Sequence, residues 1–281
     1  MEALDQHTPY AEVNFILREL LTSVQSILGD HFVGMYLYGS LASGDFDSAS
    51  DVDYVVVTDG DISDKAFGAL DTMHQRIAAM DVWCATQLEG SYIPGDALRQ
   101  FDDVRAVHVH LDRGEGERLH RMRLEDPLIS RAWWGGWAIL RHTLRERGIA
   151  LAGPPLQTLI DPVSPDDLRE AASAILPGWT KQILENPAEI SGRGYQSYTV
   201  LTACRILYTL ESGLVVSKRA AGEWAQEALD PRWRPLIESA WVGRQNPQLQ
   251  TNAEDVSQTL DFILYGLEHS QHGEAFPTGQ G

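Results

Sequence analysis

Between Tyr36 and Val57 the chain reads YLYGSLASGDFDSASDVDYVVV. An apolar run meets a Gly-Ser step and a small, acidic stretch, and then Asp51-Val52-Asp53 opens a second apolar run. The second run is β-branched and bounded by Asp-Gly, so it reads as a strand. Residues i and i+2 of a strand share a face, which aims the carboxylates of Asp51 and Asp53 at one place. A buried carboxylate is costly unless it is paired or holds a cation. These two therefore lie at an exposed strand end or have something positive between them.

The surrounding pattern supplies the scaffold. Apolar residues from Ala11 to Leu28 recur at three- and four-residue steps and stop at Gly29, which predicts an amphipathic, glycine-capped helix. Phe32–Tyr38, Asp53–Thr58, Leu88–Ile93 and the strictly alternating Ala106–Leu111 predict strands, and Asp64–Met80 a helix. The order α-β-β-α-β-β describes an α/β or α+β unit with a small mixed sheet. Beyond DRGEGER the periodicity is helical: Ser130–Arg147, Pro165–Leu176 with Ser164 as N-cap, Gly194–Glu211, Lys218–Leu229, Arg232–Val242 and Ala253–His269. The Pro-rich LAGPPLQTLIDPVSP between two of these does not continue a helix. The expected division is a mixed domain over 1–120, an all-α bundle over 121–270 and a flexible tail over 271–281.

The chain has 281 residues, 43% of them hydrophobic, and a formal charge of −18, the profile of a globular protein with a sizeable core. Residues 1–64 carry twelve carboxylates and only Arg18 as a basic side chain, which argues against a nucleic-acid substrate. Cys84 and Cys204 stand far apart without a CxxC partner and read as buried thiols. Neither a signal peptide nor an apolar run of membrane-spanning length is present, so the expectation is a soluble, cytoplasmic protein and a monomer.

Two carboxylates on one spot share a proton or hold a cation. Mg²⁺ takes oxygen ligands, usually one or two carboxylates plus substrate phosphates. Gly39 permits close backbone approach to a ligand, and the Ser40 hydroxyl with neighbouring amides can cradle phosphate oxygens. Gly-Ser, ten residues and Asp-x-Asp between two apolar runs thus form a phosphate-plus-metal constellation. The plainer reading is a solvated turn whose aspartates cap and bend the chain.

On these residues the sequence resembles the nucleotidyltransferase superfamily with a DNA polymerase β-like palm. LRERGIALAGPP and ACRILYTLESGLVVSKRAAGEWA resemble the C-terminal domain of aminoglycoside (3'')-adenylyltransferases. The resemblance implies an ATP- and Mg²⁺-dependent transfer of AMP to a hydroxyl of a small cationic acceptor, an aminoglycoside. It implies Asp51 and Asp53 as metal ligands, with Gly39, Ser40 and Ser50 at the nucleotide. It also implies a catalytic glutamate, and a third metal ligand, on the strand that holds Glu89; Asp81 is the second candidate. Lys218, one of only three lysines, would contact the nucleotide's phosphates from the second domain. Arg205, set among apolar residues, either pairs internally or reaches the triphosphate. Trp179 stands near the family's acceptor-facing tryptophan, and Glu185 and Glu189 can supply carboxylates. Where the family has aspartates before the long helix, this chain has Ser191, Gly192, Arg193 and Tyr195. The cluster of Trp133, Trp134 and Trp137 reads as core or interdomain packing. Alternative readings are a nucleotidyltransferase for a protein or another metabolite, and a silent nucleotide- or drug-binding module.

Overall fold

The computed structural model describes residues 8–47, 50–100, 107–114, 116–123 and 136–272. The described chain divides into two compact units, Met1–Ala132 with Arg141–Pro162, and Trp133–Leu140 with Val163–Gly281.

The first unit is built on a six-stranded mixed sheet. Its elements are α1 (Ala11–Leu28), β1 (Phe32–Leu37), α2 (Gly39–Ser43), β2 (Val52–Thr58), α3 (Asp64–Ala78), β3 (Leu88–Pro94), α4 (Gly95–Arg99), β4 (Val107–Leu111) and β5 (His120–Arg123). After α5 (Gly136–Arg147) come β6 (Ile149–Ala152) and the single turn α6 (Leu156–Leu159). The strand order is β5-β4-β3-β2-β1-β6, with β2 and β3 parallel and every other pair antiparallel. Helices α1 and α3 cover one face. Val13, Ile16, Leu17, Leu20 and Val24 of α1 pack with Leu70, Met73 and Ile77 of α3 against Met35, Leu37, Val52, Tyr54, Val56 and Tyr92 of the strands. The alternation that sends Val52, Tyr54 and Val56 into this core turns Asp53 to the opposite face.

The strand and helix expectations for this unit hold, and two strands are added. β5 and β6 have four residues each, too short for a periodic signal, and β6 directly follows a helix that Gly148 closes in the sequence pattern. β6 pairs with β1, and Tyr36 Oη donates to the Pro154 carbonyl at 2.7 Å, so the chain returns to the first unit after entering the second. The division between the two compact units thus crosses the chain three times. The proposed flexible tail lies outside the described residues from 273 onward, as do Trp133 and Trp134; Trp137 is buried.

The second unit is helical: α7 (Pro165–Glu185), α8 (Arg193–Ser212), α9 (Lys218–Ala228), α10 (Arg234–Gln245) and α11 (Ala253–His272). Ser164 caps α7, accepting from the Asp167 amide at 3.1 Å while Asp167 accepts from the Ser164 amide at 2.9 Å. Pro177 does not end α7 as expected. Proline removes one helical hydrogen bond. Leu176, Trp179 and Ile183 continue the buried stripe beyond it, and that burial outweighs the loss. α8 is the central helix, with Val200, Leu201, Ala203, Cys204, Ile206 and Leu207 all in the core.

Within the first core lies a polar cluster. His74 Nε2 meets the hydroxyls of Tyr92 at 2.7 Å and Tyr54 at 3.2 Å. Burial lowers the imidazole from 6.5 to about 3, only partly opposed by Asp71, so His74 is neutral in the folded protein. The unfolded chain then binds a proton that the folded one rejects between these values, so stability falls as pH drops below about 6.5. The unfolding midpoint is expected to decline steadily from pH 7 to pH 5, and His74→Gln to flatten the slope. Equal slopes in the two proteins, measured by denaturant titration, would remove His74 as the cause.

Candidate active site

Asp51 and Asp53 stand at the entry of β2, where the pairing with β3 begins. The Val52 amide donates to the Gln87 carbonyl at 2.8 Å, and Asp53 lies in register with Glu89. Parallel pairing thus brings the second aspartate beside the predicted glutamate, on the face turned away from α1 and α3. Continuing the β3–β4 pairing one step past Gly90–Leu111 brings Asp112 to the other flank of Glu89. Burial and the charges of Asp53, Asp51 and Asp112 together hold the Glu89 carboxyl well above the usual carboxylate range, and Arg113 pulls it back. Tyr38 is pushed up by burial and by the charges of Asp53, Glu89 and Asp51.

Gly39 is set by this arrangement. It has φ +65, and a Cβ there would collide with Asp53 Oδ2. Only glycine combines that backbone with room for the carboxylate. Gly39 and Ser40 open the short α2, and the Tyr38 amide ties them to β2 by donating to the Asp53 carbonyl at 3.2 Å. Ser50 is hydrogen-bonded to Asp47. Its hydroxyl donates to Asp47 Oδ1 at 2.9 Å and accepts from the Asp47 amide at 3.0 Å, directly ahead of Asp51.

Asp81 is exposed, at the exit of α3, and is not among the charges that act on Glu89. Sequence reasoning missed three neighbours. His110, fully buried, meets Ser91 Oγ through Nδ1 at 2.7 Å and approaches Asp112 through Nε2 at 3.5 Å. His110 holds the Asp112 carboxyl below the usual range. Arg113 pairs with Asp51. The period-two alternation of VHVHLD is the signal that could have put His108, His110 and Asp112 on one face; nothing in the sequence singled out Arg113.

The remaining residues singled out from the sequence lie in the second unit. Ser217 caps α9, and Lys218 in its first turn holds Nζ 5.0 Å from the Tyr198 ring centroid. Arg205 donates to the Val216 carbonyl at 3.3 Å, the internal-pairing alternative. Trp179 is packed in the helical core. Glu185 and Glu189 are exposed, and Glu185 pairs with Lys181 at 3.7 Å. Arg193 binds Asp255 at 2.9 Å, Ser239 and the Gln250 carbonyl, so it ties α8 to α11.

Among the described residues no three His, Cys, Asp or Glu side chains form a ready three-ligand cage for a metal ion. Mg²⁺ needs no such cage, because it is commonly held by one or two carboxylates plus phosphates and water. The crowding of negative charge around Glu89 and the place that Gly39 leaves for Asp53 fit a cation held by Asp51 and Asp53.

Residues 17–89 match the family model of the nucleotidyltransferase domain, and 158–265 that of the aminoglycoside adenylyltransferase C-terminal domain. The chain is a nucleotidyltransferase. With both domains in this order, it belongs with the aminoglycoside adenylyltransferase-like enzymes. It is 27% identical to an aminoglycoside (3'')(9) adenylyltransferase of Escherichia coli over 90% of this chain and 94% of that one. It is 22% identical to a spectinomycin 9-adenylyltransferase of Campylobacter jejuni, again over 90% and 94%. The fold is similar to the crystal structure of spectinomycin adenyltransferase AAD(9) from Enterococcus faecialis with ATP and spectinomycin: TM-score 0.65, 15% identity, 90% of this chain and 98% of that one. Among the described residues no helix is long and apolar enough to cross a membrane.

Gly39→Ala is expected to fold with a loss of about 1–2 kcal/mol and to lower nucleotidyl transfer about 10²-fold by displacing the Asp53 carboxylate. Thermal unfolding and turnover measured on the same sample check both; wild-type turnover would show that Asp53 tolerates the shift.

Proposed function

We propose that the protein is an ATP- and Mg²⁺-dependent adenylyltransferase that moves AMP to a hydroxyl of a small cationic acceptor, an aminoglycoside-type antibiotic. The observation that carries this reading is the Asp53–Glu89 register in a nucleotidyltransferase domain that is followed by an aminoglycoside adenylyltransferase C-terminal domain. The relatives named above support the acceptor class, since their names specify aminoglycosides or spectinomycin.

Asp51 and Asp53 would hold Mg²⁺, which when bound neutralises charge on the phosphates and on the attacking and leaving oxygens. Gly39 lets the backbone come close to the nucleotide, and the first-turn amides of α2 beside Ser40 have no acceptor within the helix and suit phosphate oxygens. Glu89 is the base. Its raised proton affinity suits it to take the acceptor hydroxyl's proton as the oxygen attacks the α-phosphorus. Asp112, kept ionised by His110, raises that affinity from the far flank. Lys218 supplies a compact ammonium for phosphate, and Glu185 and Glu189, with a net charge of −18, favour a cationic acceptor. Trp179 supports the acceptor region through packing.

Pyrophosphate release from ATP and Mg²⁺ across a panel of aminoglycosides and spectinomycin tests the acceptor class; silence across the panel would sink it. Asp51→Asn and Asp53→Asn are each expected to abolish transfer in a folded protein. Glu89→Gln is expected to cut turnover about 10²–10⁴-fold while ATP still binds. A crippled Asp81→Asn beside a near-normal Glu89→Gln would reverse the choice of base. Lys218→Ala is expected to weaken ATP binding in calorimetry, and unchanged affinity would return Lys218 to a purely structural role on Tyr198.

A further inference from the structure

Arg113 lies two positions beyond the end of β4, and its guanidinium Nη1 donates to Asp51 Oδ1. Arg113 is 42% and Asp51 30% exposed at the side chain, so the pair can exchange with ions from solvent. Arg113 is also the cation that pulls Glu89 back against Asp53, Asp51 and Asp112. One guanidinium therefore offsets negative charge at the place where two aspartates would take a metal.

We infer that Arg113 is a placeholder for the divalent cation: it holds Asp51 in the nucleotide-free protein and has to release that oxygen before a metal can bind. The inference rests on the reading of Asp51 as a metal ligand. A guanidinium and a divalent ion compete for the same carboxylate lone pairs, and a positive charge nearby also repels the incoming ion. The site then disfavours free metal and favours metal that arrives with nucleotide phosphates. The phosphates bring their own ligand oxygens, and their negative charge gives the displaced guanidinium a new partner.

Mn²⁺ titration followed by electron paramagnetic resonance, without nucleotide, tests this on the wild type, R113Q, R113K and D51N. R113Q is expected to bind Mn²⁺ about three- to tenfold tighter than wild type, the range for one exposed ion pair and one nearby charge. R113K, which keeps the charge, is expected to stay within about twofold of wild type. D51N is expected to bind more weakly. If D51N weakens binding but R113Q binds no tighter than wild type, the placeholder role is wrong and the metal assignment stands. If R113K tightens as much as R113Q, charge competition is wrong. If neither D51N nor R113Q changes affinity, the metal assignment fails and the placeholder role goes with it.

Discussion

Repulsion among carboxylates is the constraint around which the first unit is organised. Asp51, Asp53, Glu89 and Asp112 share one end of one sheet face because β2 and β3 run parallel and β4 returns beside them. Left to themselves, such charges would protonate or move apart. The scaffold prevents separation with backbone pairing on both sides of β2 and a closed core of α1 and α3 beneath. The Ser50–Asp47 hydrogen bond holds the residue before Asp51, and the absence of a side chain at Gly39 leaves Asp53 its place. The resulting electrostatic tension shows in the raised proton affinity of the Glu89 carboxyl.

The two faces of the sheet meet different demands. Towards the helices, the neutral His74 sits with Nε2 between two tyrosine hydroxyls. Towards the site, His110 is equally buried, yet it connects Ser91 with a partly exposed carboxylate. The second unit has little of this tension. Its core along α8 mixes apolar side chains with the buried neutral groups of Gln196, Ser197, Thr199, Thr202 and Thr209, and Lys218 lies over Tyr198 while Arg193 pairs with Asp255.

The sequence carried the two aspartates, Glu89, Gly39 and most helices and strands clearly, because period, punctuation and charge agree at those positions. Pro177 misled because local propensity reads as a helix end while a buried stripe lies on both sides of it. β5 and β6 are too short to show a period, and their existence depends on a partner distant in the chain. Arg113 is invisible for a related reason: an arginine in a polar loop acquires meaning only when pairing of β3 and β4 delivers it to Asp51. Trp179 was placed by resemblance alone, and its packing in the helical core follows from the buried stripe it shares with Leu176 and Ile183.

The return of β6 to β1 has a consequence for how such a protein can be divided and recombined. A gene segment ending near residue 120 encodes the aspartates and Glu89, yet it lacks the strand that covers the β1 edge. The exposed edge would offer unpaired amides and carbonyls to another chain and invite aggregation. A segment beginning near residue 163 leaves behind Trp133–Leu140, including buried Trp137 and Ile139. Neither half is a contiguous module, so exchange of acceptor specificity by shuffling whole domains is obstructed. Change is channelled instead into substitutions within an undivided chain.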